Sequence, residues 1–189
     1  MSAAHRPGRN PALPKPLQCK KHLDYLWSPW RYPYLTGAAK PEGCVFCEMA
    51  AGPVSQDPHS QDPAWLIVFR GAFNFVVLNR FPYTSGHLMV VPYRHVPDLA
   101  GLDDAAASEL MALTRASERH LRATYRPDGL NLGMNIGESA GAGIAGHIHM
   151  HVLPRWTGDA NFMTTVGQTR VLPEELTVTW RRLKEAFGT

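Results

Sequence analysis

Three histidines at alternate positions are the residues of this chain best suited to chemistry. They lie in the run His147-Ile148-His149-Met150-His151-Val152-Leu153-Pro154. Side chains alternate along a β-strand, so this spacing predicts three imidazoles on one face, about 6.6 Å apart, with apolar side chains on the other. Histidine has an ordinary pKa of about 6.5 and serves as nucleophile or proton carrier near neutral pH. The pattern therefore predicts either covalent catalysis or a metal site.

A glycine-rich segment leads directly into these histidines. Residues 135–146 contain Gly137, Gly141, Gly143 and Gly146. Because glycine lets backbone N–H groups approach an anion closely, the segment predicts a loop that holds phosphate beside the histidines. Attack by a histidine on phosphorus needs the non-bridging oxygens held and their charge neutralised. It also requires an attacking imidazole that is neither buried nor bound to an ion.

Cys44 and Cys47 form a Cys-x-x-Cys pair that has three interpretations. The pair could belong to a zinc knuckle, act as a redox couple, or consist of two buried thiols. The redox interpretation is disfavoured because the motif does not lie at the strand-to-helix junction of a thioredoxin-like unit. A zinc site would need two further ligands.

Short runs rich in β-branched and aromatic residues, separated by turn residues, predict five strands. These runs cover residues 64–69, 73–78, 87–91, about 130–136 and 147–152. A helix is predicted to begin at the capping residue Asp103 and to end before Pro127, and a last helix to begin near Pro173. The order strands, helix, strands, helix predicts an α+β domain.

Charge and composition narrow the possible partners. The net charge is +3, but the first 22 residues hold five basic and no acidic side chains, which leaves 14 basic and 16 acidic beyond them. The folded part therefore has no basic surplus, and we expect no large nucleic-acid partner. We expect residues 1–21 to form a flexible basic arm and residues 22–189 to form one domain.

The longest apolar run has six residues, so we expect no membrane span. Three cysteines and no secretory-type apolar segment predict a cytoplasmic protein.

The histidine run matches the signature His-φ-His-φ-His-φ-φ, and the chain resembles the histidine triad (HIT) family of nucleotide hydrolases and transferases. The resemblance extends from residue 26 to about residue 176 and includes Asn79-Arg80, residues 86–92 and residues 135–146. Residues 26–34 and 154–162 resemble the bacterial branch that includes diadenosine tetraphosphate phosphorylases, and Fhit-type hydrolases are close in chemistry. The resemblance implies a five-stranded antiparallel sheet with two main helices, commonly paired in a homodimer.

The resemblance also implies the activity and the residues that carry it. It implies cleavage of diadenosine polyphosphates such as diadenosine tetraphosphate, by phosphorolysis or hydrolysis. His149 would attack the α-phosphorus and form a nucleotidyl-histidine intermediate, which phosphate or water then releases. His151, in its protonated form, would bind the α-phosphate or the departing oxygen, and Asn79 would face the ribose hydroxyls. The implied nucleotide-binding residues are Asn79, His87, Asn135, Gly141, Gly143 and His151.

Members of the family with this cysteine spacing resemble a zinc-binding subgroup. The resemblance implies that His95 and His147 complete a structural Zn²⁺ site with Cys44 and Cys47. Such a Cys₂His₂ site is closed and has no room for a catalytic water.

One departure from the family leaves the acceptor open. Fhit-type hydrolases carry a Gln and a Ser or Thr just before the triad, whereas this chain has Ala142-Gly143-Ile144. Other substituted adenylates, such as nucleoside phosphoramidates, remain alternative substrates, and a nucleotide-binding regulator without turnover remains an alternative function. An enzyme with one catalytic ion on the three histidines is disfavoured, because imidazoles about 6.6 Å apart cannot easily all reach one ion.

Overall fold

The computed structural model of this chain describes residues 43–52, 66–161, 164, 166 and 172–188. The predicted arm over residues 1–21 and its boundary at residue 22 lie outside these ranges. The described elements, in chain order, are α1 (Val45–Ala51), β1 (Ile67–Arg70), β2 (Asn74–Leu78), β3 (Leu88–Pro92), α2 (Asp104–Tyr125), β4 (Gly129–Gly133), β5 (Met150–Arg155) and α3 (Leu176–Gly188).

The five strands form one antiparallel sheet in the order β1-β2-β3-β5-β4. Strands β2 and β3 lie near its centre, and all ten of their residues are buried. Buried positions on both faces explain why these strands are continuous apolar runs rather than alternating ones. The predicted α+β architecture with a five-stranded antiparallel sheet is confirmed, and α2 and α3 are its two main helices.

Helix α2 has the termini that its sequence predicts. The Asp103 carboxylate accepts a hydrogen bond from the N–H of Ala106, and Arg126 ends the helix in a left-handed conformation just before Pro127. Its buried face includes Leu110 and Leu121. Helix α3 covers the β1 side of the sheet, where the Trp180 indole N–H donates to the carbonyl of Ile67. None of the helices in the described ranges is long and apolar enough to span a membrane.

Strand β5 begins at Met150, so the prediction that the strand starts at His147 is wrong. The cause is a competing hydrogen bond: the N–H of Ile148 donates to the carbonyl of Val96, at 2.7 Å, and not to a neighbouring strand. The chain therefore joins the sheet only after this residue. Strand β4 likewise ends at Gly133, which places Asn135 beyond the strand and not at its end.

The turn between β1 and β2 is held by a carboxylate from α2. Glu109 accepts hydrogen bonds from the N–H groups of Ala72, Phe73 and Asn74 at 2.7–2.8 Å, and from the Asn74 side-chain amide at 2.9 Å. Burial alone would raise the pKa of Glu109, but these four donors lower it below its ordinary value. The contact ties α2 to the edge half of the sheet.

Replacement of Glu109 should therefore destabilise the fold. We expect Glu109→Gln to lower the free energy of unfolding by about 1–3 kcal/mol, because a neutral amide cannot accept from all of these donors. Glu118→Gln is the matched control, since Glu118 lies on the same helix and, among the residues that the structure describes, bonds the exposed Arg122 alone. Urea denaturation measures both, and equal effects of the two substitutions would contradict the role given to Glu109.

Candidate active site and metal centre

The His149 ring lies just before β5 and is oriented by the backbone. Its Nδ1 lies 2.9 Å from the carbonyl oxygen of His147, so Nδ1 carries the proton and donates. Among the described residues nothing bonds Nε2, which therefore presents a lone pair. This is the form of imidazole that can attack phosphorus.

His149 is only 6 % exposed, which corrects the expectation of an unburied nucleophile. The reason is its position under Phe46, whose ring centroid lies 5.0 Å from that of His149. Burial lowers the pKa of His149, and the hydrogen bond to the carbonyl of His147 only partly opposes this. Burial therefore keeps the imidazole neutral and nucleophilic.

His151 is paired with a fourth histidine, His87, which lies just before β3. His87 Nε2 and His151 Nδ1 are 2.9 Å apart. The contact arises from the register of β3 on β5, in which Met89 pairs with His151. Burial lowers the pKa of His87 to about 3 and that of His151 to about 4, and nearby histidines act in the same direction. These low pKa values favour neutral imidazoles in this structure, and the protonated form expected for His151 beside a bound phosphate stays a prediction.

The three histidines do not share an evenly spaced strand face. The rings of His149 and His151 are 4.8 Å apart and nearly perpendicular, because only His151 lies within β5. The His147 ring points to the cysteines, and Nδ1 of His149 and of His151 is already bonded. The side chains therefore do not converge on one catalytic ion.

Asn79 and Tyr83 lie beside His87 in the loop between β2 and β3. The Tyr83 N–H donates to His87 Nδ1 at 3.2 Å, and the Asn79 amide nitrogen lies 3.4 Å from the same atom. The Asn79 side-chain oxygen accepts from the N–H of Phe81, which is a turn-capping bond. The structure thus gives Asn79 the capping geometry, and a contact to ribose stays a prediction.

The glycine-rich loop forms a compact turn of its own. The N–H of Gly141 donates to the carbonyl of Glu138, and the Asn135 amide donates to the carbonyl of Gly141 at 3.4 Å. The Gly141 amide is therefore engaged within the loop and is not open to an anion. The loop runs into the triad, since the N–H of His147 donates to the carbonyl of Ile144. Phosphate binding by Asn135, Gly141 and Gly143 stays a prediction.

Cys44, Cys47, His95 and His147 form a cluster whose four ligand atoms all lie within 4.8 Å of one another. The Sγ–Nδ1 distances are 3.2 Å for Cys44 and His147, 3.7 Å for Cys47 and His147, and 3.3 Å for Cys47 and His95. Tetrahedral bonds of about 2.3 Å to sulfur and about 2.0 Å to nitrogen would separate S and N by about 3.5 Å. The donor set and its spacing therefore fit Zn²⁺.

The tautomer of His147 also suits a metal ligand. Its Nε2 donates to the carbonyl of Pro92 at 2.8 Å, so Nδ1 faces the cysteines as a lone pair. Burial lowers the pKa of His147, which keeps the ring neutral. Burial and the neighbouring Cys44 raise the pKa of the Cys47 thiol, and a cation would be needed to favour its thiolate form.

Two contributors to the site were missed in the sequence. The ring of Phe46 packs against both His147 and His149. The position of Phe46 between the two cysteines is the sequence feature that could have indicated this contact. Tyr83 contributes through its backbone N–H, which no residue type signals. The contact of His87 with His151 depends on strand register, so it could be found only in three dimensions.

Comparison with known proteins assigns the family. The HIT domain profile matches residues 66–158. The chain is 43 % identical to the AP-4-A phosphorylase of Mycobacterium tuberculosis over 87 % of this chain and 84 % of that protein. The chain belongs to the HIT family. A second HIT-like protein of M. tuberculosis, which is uncharacterized, is 32 % identical over 77 % of this chain and 93 % of its own.

Solved HIT structures share this fold. A zinc-bound histidine triad protein from Mycobacterium smegmatis superposes with a TM-score of 0.60, at 26 % identity over 77 % of this chain and 94 % of that one. The diadenosine triphosphate hydrolase of Plasmodium falciparum has a TM-score of 0.55 at 12 % identity, over 77 % of this chain and 97 % of that one. This second similarity shows the HIT fold alone.

The neutral histidine pair should make stability depend on pH. The pKa values of His87 and His151 are lower in the fold than in the unfolded chain, so the unfolded chain binds more protons below pH ~6.5. We expect the free energy of unfolding to fall with decreasing pH by roughly 1.4 kcal/mol per pH unit for each of the two imidazoles.

Urea denaturation at pH 7.5, 6 and 5 measures this dependence, and His87→Gln isolates one member of the pair. The substitution should reduce the dependence of the unfolding free energy on pH by the contribution of one imidazole, roughly 1.4 kcal/mol per pH unit. A slope that is the same in both proteins would show that His87 is not held neutral by the fold.

Proposed function

We propose that this protein transfers the nucleotidyl group of a dinucleoside polyphosphate, such as diadenosine tetraphosphate, through His149 to inorganic phosphate or water. The observation that carries the proposal is the tautomer of His149 that the backbone fixes. Its Nδ1–H donates to the carbonyl of His147, and its Nε2 is unbonded among the described residues. The identity to an AP-4-A phosphorylase over most of both chains supports this substrate class.

In the proposed reaction, Nε2 of His149 bonds to the α-phosphorus while the P–O bond to the leaving group breaks. The Nδ1–H group of His149 stays on the carbonyl of His147, which stabilises the positive charge that the ring gains. His151 lies on the same side, with its ring 4.8 Å from that of His149, and serves as hydrogen-bond donor to the phosphate or the departing oxygen. The acceptor then breaks the P–N bond and restores His149.

We propose nucleotide contacts for the loops that flank these histidines. Asn79, just after β2, would face the ribose, and Asn135 with Gly143 would face the phosphates, whereas Gly141, whose amide is engaged within the loop, would shape the turn. Gly133 pairs with His151 across β4 and β5, and Asn135 follows two residues later, which supports a location near the reacting phosphorus. His87 is fully buried behind His151, so its part in nucleotide binding is indirect.

We propose that Cys44, Cys47, His95 and His147 hold a structural Zn²⁺ ion. The fit of the four ligand atoms and the free thiols of both cysteines support this assignment. The ion would supply cross-linking and no catalytic step: it would join α1 to the segment that precedes β5. Gly146 supports the same packing, because a Cβ there would lie 3.3 Å from His95 Nε2.

We also propose that the protein is a cytoplasmic homodimer with no membrane or large nucleic-acid partner. Strand β4 is an edge strand with Leu132 about half exposed, which supports pairing with a second copy through this edge. Two cysteines kept as thiols for a metal suit a reducing compartment.

Replacement of His149 tests the nucleotidyl transfer. With diadenosine tetraphosphate as substrate, we expect His149→Ala to lower turnover by at least about 1,000-fold, because the attacking lone pair is lost. Intact-mass spectrometry of wild type without phosphate should detect an adenylyl adduct that the variant lacks. His120→Ala, at a ring that packs on Phe187 in α3, is the control and should keep wild-type turnover. An active, adduct-free His149→Ala enzyme would overturn the mechanism.

Metal analysis tests the cysteine–histidine cluster. We expect about one zinc per chain in wild type, and its loss together with a lower melting temperature in Cys47→Ser, because the site then lacks a thiolate. Cys19→Ser is the matched control and should retain the metal. Inductively coupled plasma mass spectrometry measures the zinc content. Purified wild-type protein that contains no zinc would contradict the assignment.

A further inference from the structure

The two cysteines lie at the N-terminal end of α1 with their sulfur atoms close together. Cys44 is the N-cap of the helix, and Cys47 lies in its first turn. The ligand atoms of the cluster all lie within 4.8 Å of one another, and the two thiols are in hydrogen-bond contact. A disulfide requires an S–S distance of about 2.05 Å, which this spacing allows after a small shift of the two side chains.

The cluster has a surface side and an interior side. Cys44 and Cys47 are both partly exposed, and His95, which lies 3.3 Å from Cys47 Sγ, is exposed. On the interior side, Cys44 lies 3.2 Å from the fully buried His147. A small polar oxidant such as hydrogen peroxide therefore reaches the sulfur of Cys47 from solvent.

The same pair of cysteines lies against the proposed nucleophile. Phe46, between them in the chain, packs its ring 5.0 Å from that of His149 and 5.4 Å from that of His147. Only 2 % of Phe46 is exposed, so its ring fills the space beside these imidazoles. A shift in the backbone of residues 44–47 therefore moves the ring that covers His149.

Few polar contacts fix the position of α1. The helix has seven residues, and no side chain caps its N-terminus. At its C-terminal end, Arg70 donates to the carbonyls of Met49 and Ala50. A helix of this length is marginal on its own. The position of its N-terminal end therefore depends on the bonds that the two cysteines make.

We propose that Cys44 and Cys47 form an oxidation site, at which a peroxide converts the metal-binding thiolates to a disulfide, releases Zn²⁺ and loosens α1 from His149. The inference rests on the proposed zinc site and adds a reversible control of the proposed transfer reaction. It differs from thioredoxin-type catalysis, because the pair reacts as metal ligands and passes its electrons to peroxide.

The oxidation takes place in two displacement steps. The Cys47 thiolate attacks one peroxide oxygen, so that an S–O bond forms, the O–O bond breaks and hydroxide leaves. The Cys44 thiolate then attacks the sulfenic sulfur of Cys47, so that the S–S bond forms and a second hydroxide leaves. The two thiolates lose two electrons and the peroxide gains them. Two protons from solvent convert the hydroxides to water.

The disulfide removes both sulfur ligands from the metal site. Two imidazoles remain, with His95 at the surface and His147 bonded to the carbonyl of Pro92. Two imidazoles alone do not complete the four-ligand site that a structural Zn²⁺ ion requires. The ion therefore leaves, and the link between α1 and the segment before β5 is lost with it.

Treatment of the zinc-loaded protein with hydrogen peroxide tests the site. Cys19→Ser is the parent protein, so that Cys44 and Cys47 are its remaining cysteines. We expect release of about one zinc per chain to a chromogenic chelator, and a mass lower by about 2 Da in the peptide that contains both cysteines. Dithiothreitol followed by Zn²⁺ should restore both. Cys47→Ser in the same background should show no such fall in mass.

Amide hydrogen exchange measures the coupling to the active site without turnover. Exchange within α1 should rise at least about tenfold on oxidation, because the helix loses its N-terminal anchor, and should recover after reduction with zinc. Exchange within α3, which lies on the β1 side of the sheet, is the internal control and should not change. With diadenosine tetraphosphate as substrate, turnover by the oxidised protein should fall at least about fivefold, because Phe46 no longer fixes the surroundings of His149.

The possible failures separate the proposals from one another. Zinc that stays bound after peroxide, or sulfinic acids in place of a disulfide, overturns the oxidation site, and the parent protein decides this even if Cys47→Ser fails to fold. Unchanged exchange in α1, or unchanged turnover of an active enzyme, overturns its control of transfer. Purified protein without zinc overturns the metal assignment and the oxidation site together. Zinc release and a loosened α1 in a protein that never cleaves diadenosine tetraphosphate refute the proposed function and leave the oxidation site standing.

Discussion

The orientation of the His149 ring, the proposed nucleophile, depends on one hydrogen bond to the backbone, from His149 Nδ1 to the carbonyl of His147. That carbonyl is held in place by its own residue, since the His147 ring bonds the Pro92 carbonyl on one side and meets the two cysteines on the other. The metal-type cluster and the reactive nitrogen are therefore connected through a single residue. The side chain of His147 belongs to the cysteine–histidine cluster, and its backbone carbonyl orients the His149 ring.

Helix α1 is small, but it closes the site from outside the sheet. Its N-terminal end carries Cys44 and Cys47 to the histidines, and at its C-terminal end Arg70 donates to the carbonyls of Met49 and Ala50. Fixed at both ends, the helix presses Phe46 onto His149 and removes water from one face of that ring. A seven-residue helix is marginal alone, so these contacts are what make it a wall of the site.

Local features of the fold could be predicted from the sequence, and contacts between distant segments could not. Asp103 and Pro127 mark the ends of α2, because capping and proline geometry are encoded within a few residues. The late start of β5 was missed because it depends on the Val96 carbonyl, 52 positions from Ile148. The Glu109 contacts and the bond between His87 and His151 were missed for the same reason. The cysteine–histidine set was reached only through family resemblance, and the structure brings all four residues together.

In the described part of the chain, no carboxylate bonds the buried imidazoles of His87 and His151. Burial favours the neutral form of every ring, and a carboxylate partner would have reversed this by stabilising a cation.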